Sequence, residues 1–272
     1  MSNPHYSCVS FEPGIEVIED SGAFQERDML NRLHPSQALD RQLRHRDAIG
    51  KRSGHAFNFK GVVTYDMLVG VDEAIVDGER VKRRGTPETA REAVRQTILS
   101  AEYYAANRKR IGCPIFFSAQ GASPMQYALC AQKLVSLMQP QDTFAFGGFC
   151  ILGMQRSLLP TFERTLDFVL PLLARNGHKR AHLLGICWGK ALEAAHRKAA
   201  PLGIEISTDS SSIEVNSIMG KIWTKERWIK VWDKEHKEQA DGSHTDGPDG
   251  SYHPVDLTMS NLKKFNDWIG GF

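Results

Sequence analysis

Apolar and polar positions alternate along this chain in two rhythms. Short, nearly all-apolar runs rich in β-branched and aromatic residues recur, each bounded by Gly, Asp or Ser. They are IEVIED (15–20), VVTYDMLVGVD (62–72), PIFFSAQG (114–121), TFAFGGF (143–149), RAHLLGI (180–186) and IEISTD (204–209). Between them lie longer stretches with apolar residues at helical spacing, at 86–110, 123–138, 158–177 and 189–203. Thr86-Pro87-Glu88 and Ser123-Pro124 read as helix starts, because Pro early in the first turn removes no needed donor. Gly177 and Gly203 read as the glycines that follow helix ends.

Strands that are apolar on both faces must be covered on both faces, and helices do this for parallel sheets. The alternation therefore predicts an α/β fold of the TIM-barrel-like (β/α)8 kind. Six runs fall short of the eight strands of a closed barrel, which the count therefore fits only in part. The run YSCVSF (6–11) offers one further strand. The stretch 31–60 is polar, basic and poorly periodic, and reads as a long functional insertion or a mobile loop.

After residue 213 the character changes. GKIWTKERWIKVWDKEHKEQ (220–239) interleaves Trp223, Trp228 and Trp232 with Lys and Arg, and residues 228 and 232 would share one face of a helix. A Gly-, Asp- and His-rich loop follows at 240–251, then a terminal helical pattern at 255–269. The expected division is a barrel domain over 1–212 and an extension over 213–272 packed on it. The 272 residues carry a formal charge of +2, which neither demands nor excludes a polyanionic partner. Five cysteines, at 8, 113, 130, 150 and 187, form no CxxC pair, which favours a reducing cytoplasm over a disulfide framework. No evident leader and no long apolar run predict a chain that neither is exported nor spans a membrane.

The candidate chemistry sits at the ends of the strands, the rim where such folds bind ligands. Asp20, Asp72, Gln120 and Asp209 collect there, with Gly147, Gly148 and Gly185 among them. Carboxylates, an amide and glycine-exposed backbone suit a heterocycle that offers N–H groups and a carbonyl. Taken singly, each acid has a plainer reading as a cap or a surface turn; Asp20, within VIEDSGAFQER (17–27), could cap a following helix.

Six segments resemble, in order, motifs of the queuine/archaeosine tRNA-guanine transglycosylases. EDSGAFQ is similar to their DSGGFQ, DMLVGVDEA to the strand ending in Asp-Glu-Cys, FFSAQGA to GIVQGG, and FAFGGFCILG to YAIGGLAVGE. HLLGICWGKALEAA resembles YLMGVGTPEDLLEAV, and IEISTDSSS takes the place of MFDCVLPTR. Together they cover about residues 15–212. The resemblance implies that Asp209 is the nucleophile and Asp20 the general acid/base. It implies that Asp72 and Gln120 hold the purine-like edge and that the Gly148 N–H, beside Gly147 and Gly185, reads the ring carbonyl. Phe24 would stack on the base, Leu184 would pack on its other face, and Ser21 and Gln25 would orient it.

The residue types fit base exchange at a nucleoside C1′ with retention. One carboxylate captures the oxocarbenium-like centre, and another alternately gives and takes the base proton. The departures are equally specific. No cysteine follows Cys187, so the zinc module of those enzymes is absent and no cofactor is expected. Ser210-Ser211-Ser212 replaces their Pro-Thr-Arg, Ala74 replaces a Cys, and only 19 residues precede Asp20, so the resemblance implies a barrel incomplete on its N-terminal side, its first two strands missing or replaced. These departures resemble the shorter phage and bacterial branch that inserts 7-deazaguanines into DNA. The expected activity is exchange of guanine in DNA for a 7-deazaguanine, in the cytoplasm, that of the host for a phage protein. The alternatives are a tRNA enzyme without its zinc module and a catalytically silent subunit that binds nucleic acid. A homodimer or a partner chain could close the barrel.

Basic segments at 41–52, 79–85 and 221–237 are candidates for phosphate contact, with Arg44, Arg46, Lys51, Arg52, Lys82, Arg83 and Arg84 as the named groups. A solvated face is the plainer reading of any such run, and a core stripe the plainer reading of the tryptophans. His178 and His182 are four apart across a helix end and a strand, which is no metal-binding pair. The loop carrying His244, Asp246 and His253 reads as polar and flexible. Replacing Arg83 and Arg84 together by Ala is expected to weaken DNA binding and flatten the slope of log affinity against log salt by about two, without altering base preference. Identical salt titrations for the two proteins would remove these residues from the interface.

Overall fold

The computed structural model describes residues 16–23, 32–53, 58–69, 71–76, 79–84, 87–150, 156–209, 221–223, 228–230 and 254–269. Its centre is a parallel sheet of six strands in the order β1-β2-β5-β6-β7-β8. These are β1 (Glu16–Glu19), β2 (Asn58–Val63), β5 (Ile115–Ala119), β6 (Thr143–Phe146), β7 (Arg180–Leu183) and β8 (Glu205–Thr208). Two antiparallel pairs stand outside it, β3 (Val71–Val76) with β4 (Glu79–Arg84), and β9 (Lys221–Trp223) with β10 (Trp228–Lys230). The helices are α1 (Pro35–Ser53), α2 (Pro87–Ala106), α3 (Arg108–Ile111), α4 (Pro124–Val135), α5 (Leu159–Arg175), α6 (Gly189–Ala199) and a last helix, Pro254–Ile269.

Strand alternation sorts the side chains into two layers. Phe117, Phe144, Phe146, Ala181 and Leu183 face outward into one large core with Tyr104, Tyr127, Phe162, Leu166 and Leu170 of the helices. The opposite face is thinner, with Val63, Phe116 and Ala145 packed against Ile18 and Leu184. Towards the carboxyl ends this inner face turns polar. The sheet is curled about it: the charge of Asp209, after the last strand, is felt at Asp20, after the first. Laid flat, those strands would stand five spacings, roughly 24 Å, apart. The fold is thus an α/β half-barrel. Phe265 of the last helix enters the outer core, with Leu262 and Trp268 beside it.

Three sequence expectations change. The region 31–60 is largely the helix α1, whose polar residues act as clamps rather than forming a loop. Buried Gln42 donates to Glu19 O at 3.3 Å and Val63 O at 2.9 Å, and accepts from Tyr104 Oη at 2.5 Å. The run 62–72 is not one strand: β2 ends at Val63, and Asp72 lies in the separate β3–β4 pair, opposite Arg83 in register. Residue 228 is in a strand paired with Trp223, so no helix carries it together with Trp232, which lies outside the described residues. The run 6–11 lies outside them too. No described helix is long and apolar enough to cross a membrane.

The amino ends of the strands are tied by Asp142, whose side chain is fully buried. It accepts from Ile115 N at 2.9 Å, from Gln139 N at 2.6 Å and from Arg108, which pairs with it at 2.7 Å. Removing the carboxylate strands a half-buried cation and a buried strand N–H. Asp142→Ala is expected to lower the unfolding free energy by about 3 kcal/mol in denaturant titration; a loss below about 1 kcal/mol would mean that water replaces the carboxylate.

Candidate functional site

The carboxyl rim gathers three acids. Asp20 follows β1 in the turn Ser21-Gly22-Ala23 and accepts weakly from Gly22 N at 3.4 Å. The first described helix, α1, begins only at Pro35, and residues 24–31 lie outside the described residues. Ser21 is buried and its hydroxyl accepts from Ala23 N at 3.3 Å, so this side chain shapes the turn. Arg41 braces the turn from behind, donating to Ser21 O at 2.6 Å. Solvent reaches Asp20, yet the protein crowds it. That crowding raises its pKa, opposed by the Ser21 and Gly22 N–H groups, raised further by Asp209 and opposed by Arg41.

Asp209 follows β8 on the other edge of the sheet. Its Oδ1 accepts from Gly185 N at 2.7 Å and lies 3.3 Å from His182 Nε2. Crowding raises its pKa too, but the nearby His182 and the Gly185 N–H together hold it below the ordinary carboxylate value. Gly185 has φ 70°, a left-handed backbone that aims its N–H at the acid, and a Cβ there would stand 2.8 Å from Cys150 Cβ. Thr208 Oγ1 donates to Leu183 O at 3.0 Å and also to Ile186 O, which pins the end of β8 to the turn after β7.

The third acid is Asp66, three residues beyond β2 and 5% exposed. Its Oδ2 accepts from Gln120 Nε2 at 2.5 Å and from Ser118 Oγ at 2.7 Å. Burial raises its pKa, opposed by those two donors, with Asp20 raising it and Arg32 lowering it. Arg32 donates to Asp66 O at 2.5 Å and lies over the Tyr65 ring at 4.5 Å. Gly147 leaves room for this network: a Cβ there would stand 2.4 Å from Gln120 Nε2 and 2.8 Å from Ser118 Oγ.

The rim therefore unites Asp20, Ser21, Gln120, Gly147, Gly148, Gly185 and Asp209, with Leu184 on the apolar floor beneath. Beside Gln120, where the resemblance implies Asp72, stands Asp66; Asp72 lies on β3, and its side chain is outside the described residues. Phe24 and Gln25 lie outside the described residues. Of the phosphate-binding candidates, Arg46 donates to Ile111 O at 2.6 Å, near the amino ends of the strands, so α1 runs away from the rim. Lys51 and Arg52 lie farther along it, Arg44 is exposed before that point, and Lys82, Arg83 and Arg84 lie on β4.

Sequence reading missed Asp66, Ser118, Arg41 and His182. An eleven-residue run is twice the usual strand, and ending it after about six residues would have pointed to Asp66. Alternation from Leu184 puts His182 on the same inner face. Among the described residues, no group of three or more His, Cys, Asp or Glu is arranged to hold a metal ion.

No family model and no curated protein matches the chain. Among solved structures it is similar to fructose-bisphosphate aldolase from Campylobacter jejuni, with a TM-score of 0.41 and 12% identity. The likeness covers 86% of this chain and 64% of that one, less than two thirds of its length. The half-barrel described above stands on the strand pairing and on the approach of Asp209 to Asp20.

The sign of the Asp20 shift has a consequence for stability. A raised carboxyl pKa means that the folded chain binds the proton more tightly than the unfolded chain does. The fold loses stability as pH rises from below the ordinary carboxylate value through the raised one. Asp20→Asn removes that loss, so the variant is expected to melt higher than the parent at neutral pH and to converge with it in acid. A lower melting temperature at neutral pH would contradict the shift.

Proposed function

We propose that the chain is a base-exchange glycosyltransferase. It replaces guanine in DNA with a 7-deazaguanine, such as the 7-cyano compound, through a covalent Asp209–deoxyribose ester. The observation that carries this reading is the division between the acids at opposite edges of the sheet. Asp209 takes the Gly185 N–H at 2.7 Å and is held towards its ionised form, whereas Asp20 has only the 3.4 Å contact from Gly22 N and is pushed towards its protonated form, on either side of the recess in which we place the substrate. Two carboxyl groups whose environments drive their pKa values apart are suited to separate roles as nucleophile and acid.

The steps follow from those states. The target nucleotide leaves its stack to enter the recess. Asp209 attacks C1′ on the face opposite the base; the C1′–N9 electron pair departs with guanine, and Asp20 supplies the proton to N9. The incoming deazaguanine gives its own N9 proton to Asp20, attacks C1′ and releases Asp209. Two inversions give net retention, and no proton is gained or lost over the cycle. Gln120 and Asp66, here assigned the part that the sequence resemblance gave to Asp72, read the base edge. Gly148 N–H meets the ring carbonyl and Leu184 lies against the ring. A deoxyribose lacks the electron-withdrawing 2′-OH, which favours the oxocarbenium-like state in DNA.

The test supplies labelled deazaguanine to a mixture of duplex DNA, single-stranded DNA and tRNA. Label is expected in DNA, with a denaturation-resistant protein–DNA adduct that Asp209→Asn abolishes. Label in tRNA would assign the chain to the RNA enzymes instead. Nucleic-acid binding without label in any polymer would leave the silent-subunit reading.

A further inference from the structure

The mechanism leaves one buried polar group unused. His182 projects from β7 on the inner face, 1% exposed, and its Nε2 has no well-aligned hydrogen-bond partner although Asp209 Oδ1 is only 3.3 Å away. A bare ring nitrogen in such a place costs stability unless something engages it. The ring is held on its other sides. Nδ1 lies 2.9 Å from Ser207 Oγ, and Phe116 meets the ring edge to face at 5.4 Å between centroids.

Resting on the transglycosylase reading, we propose that His182 is a positioning residue. It holds Oδ1 of the nucleophile so that Oδ2 alone attacks C1′. Three geometric facts carry this. Gly185 N–H and His182 Nε2 converge on the same oxygen, Oδ1. Ser207 Oγ, 2.9 Å from Nδ1, can donate its proton there, which is the arrangement that leaves hydrogen on Nε2, facing the acid. The Phe116 contact keeps the ring from turning away.

The pair then works in both half-reactions without His182 exchanging a proton. As Oδ2 bonds to C1′ and guanine departs with the C1′–N9 electron pair, the charge on Asp209 is lost and the bond from Nε2 slackens. As the incoming base displaces Asp209, the electron pair of the C1′–Oδ2 bond returns to the carboxylate and the bond from Nε2 tightens. A long, poorly aligned contact in the resting site is the form such a bond takes before substrate arrives.

The other ionisable groups facing this end of the sheet are Asp20 after β1 and Asp66 after β2, with Arg41 behind Asp20 and Arg32 beside Asp66. Among the described residues, the neighbouring strands present Phe116, Ala145 and Ser207, which carry no charge. The test compares His182→Leu, which removes the donor, with His182→Gln, which keeps an N–H on a side chain of similar reach. Titration of the Asp209 carboxyl carbon by NMR needs no substrate. It is expected to show a higher pKa in His182→Leu and a value near the parent's in His182→Gln. Single-turnover adduct formation on DNA should slow by about tenfold in His182→Leu, because the carboxylate is no longer held in the attacking orientation, with DNA affinity unchanged and His182→Gln recovering most of the rate. An Asp209 titration indifferent to His182→Leu in a folded variant would overturn the positioning role, whether or not the chain exchanges bases. A shifted titration beside a parent protein that labels no polymer would sink the transglycosylase reading and leave only the coupling of His182 to Asp209.

Discussion

The curl of the sheet is the constraint on which the site depends. Parallel strands deliver all their carboxyl ends to one rim, but a flat sheet would spread them too far apart for one ligand to meet both edges. Here the first and last strands bend towards each other until the charge on Asp209 is felt at Asp20. The asymmetry of the two faces fits this bend. Outward-facing phenylalanines and leucines demand a thick cover of helices, whereas the described apolar cluster of the inner face is small, with Ile18, Val63, Phe116, Ala145 and Leu184. A small inner layer under a large outer one is the packing of a curved sheet.

Gathering three acids at that rim is costly, and the structure treats each of them differently. Asp66 is the deepest and is surrounded by donors from Ser118 and Gln120, whose side chains fit because residue 147 has none. Asp20 receives only weak backbone help and is left with a raised pKa. Asp209 takes a short bond from Gly185 and a neighbouring imidazole, and stays ionised most easily. Crowding pushes all three in the same direction; the local donors separate them. That separation is what turns a cluster of like charges into groups with distinct capacities.

The helix α1 holds the first of these acids in place. Gln42 ties the ends of β1 and β2, Arg41 supports the turn that carries Asp20, and His45 meets Glu19 at 2.7 Å on the opposite face of β1. Polar residues spaced along a helix but directed at backbone carbonyls give little apolar periodicity. This helix was therefore hard to distinguish from a basic loop in the sequence.

From the chain alone, five of the six central strands, most of the helices covering them and the rim positions of Asp20, Gln120 and Asp209 could be read. Those features follow from local apolar runs and the turns that end them, which need only neighbouring residues. The tertiary structure decided where the long run 62–72 breaks, and so which acid joins Gln120. It also gave His182 a partner 27 positions away in sequence (209 − 182) and set the three acids apart in charge state. Those outcomes rest on which groups the curl brings together and how far it shields them from water, and no local pattern encodes either.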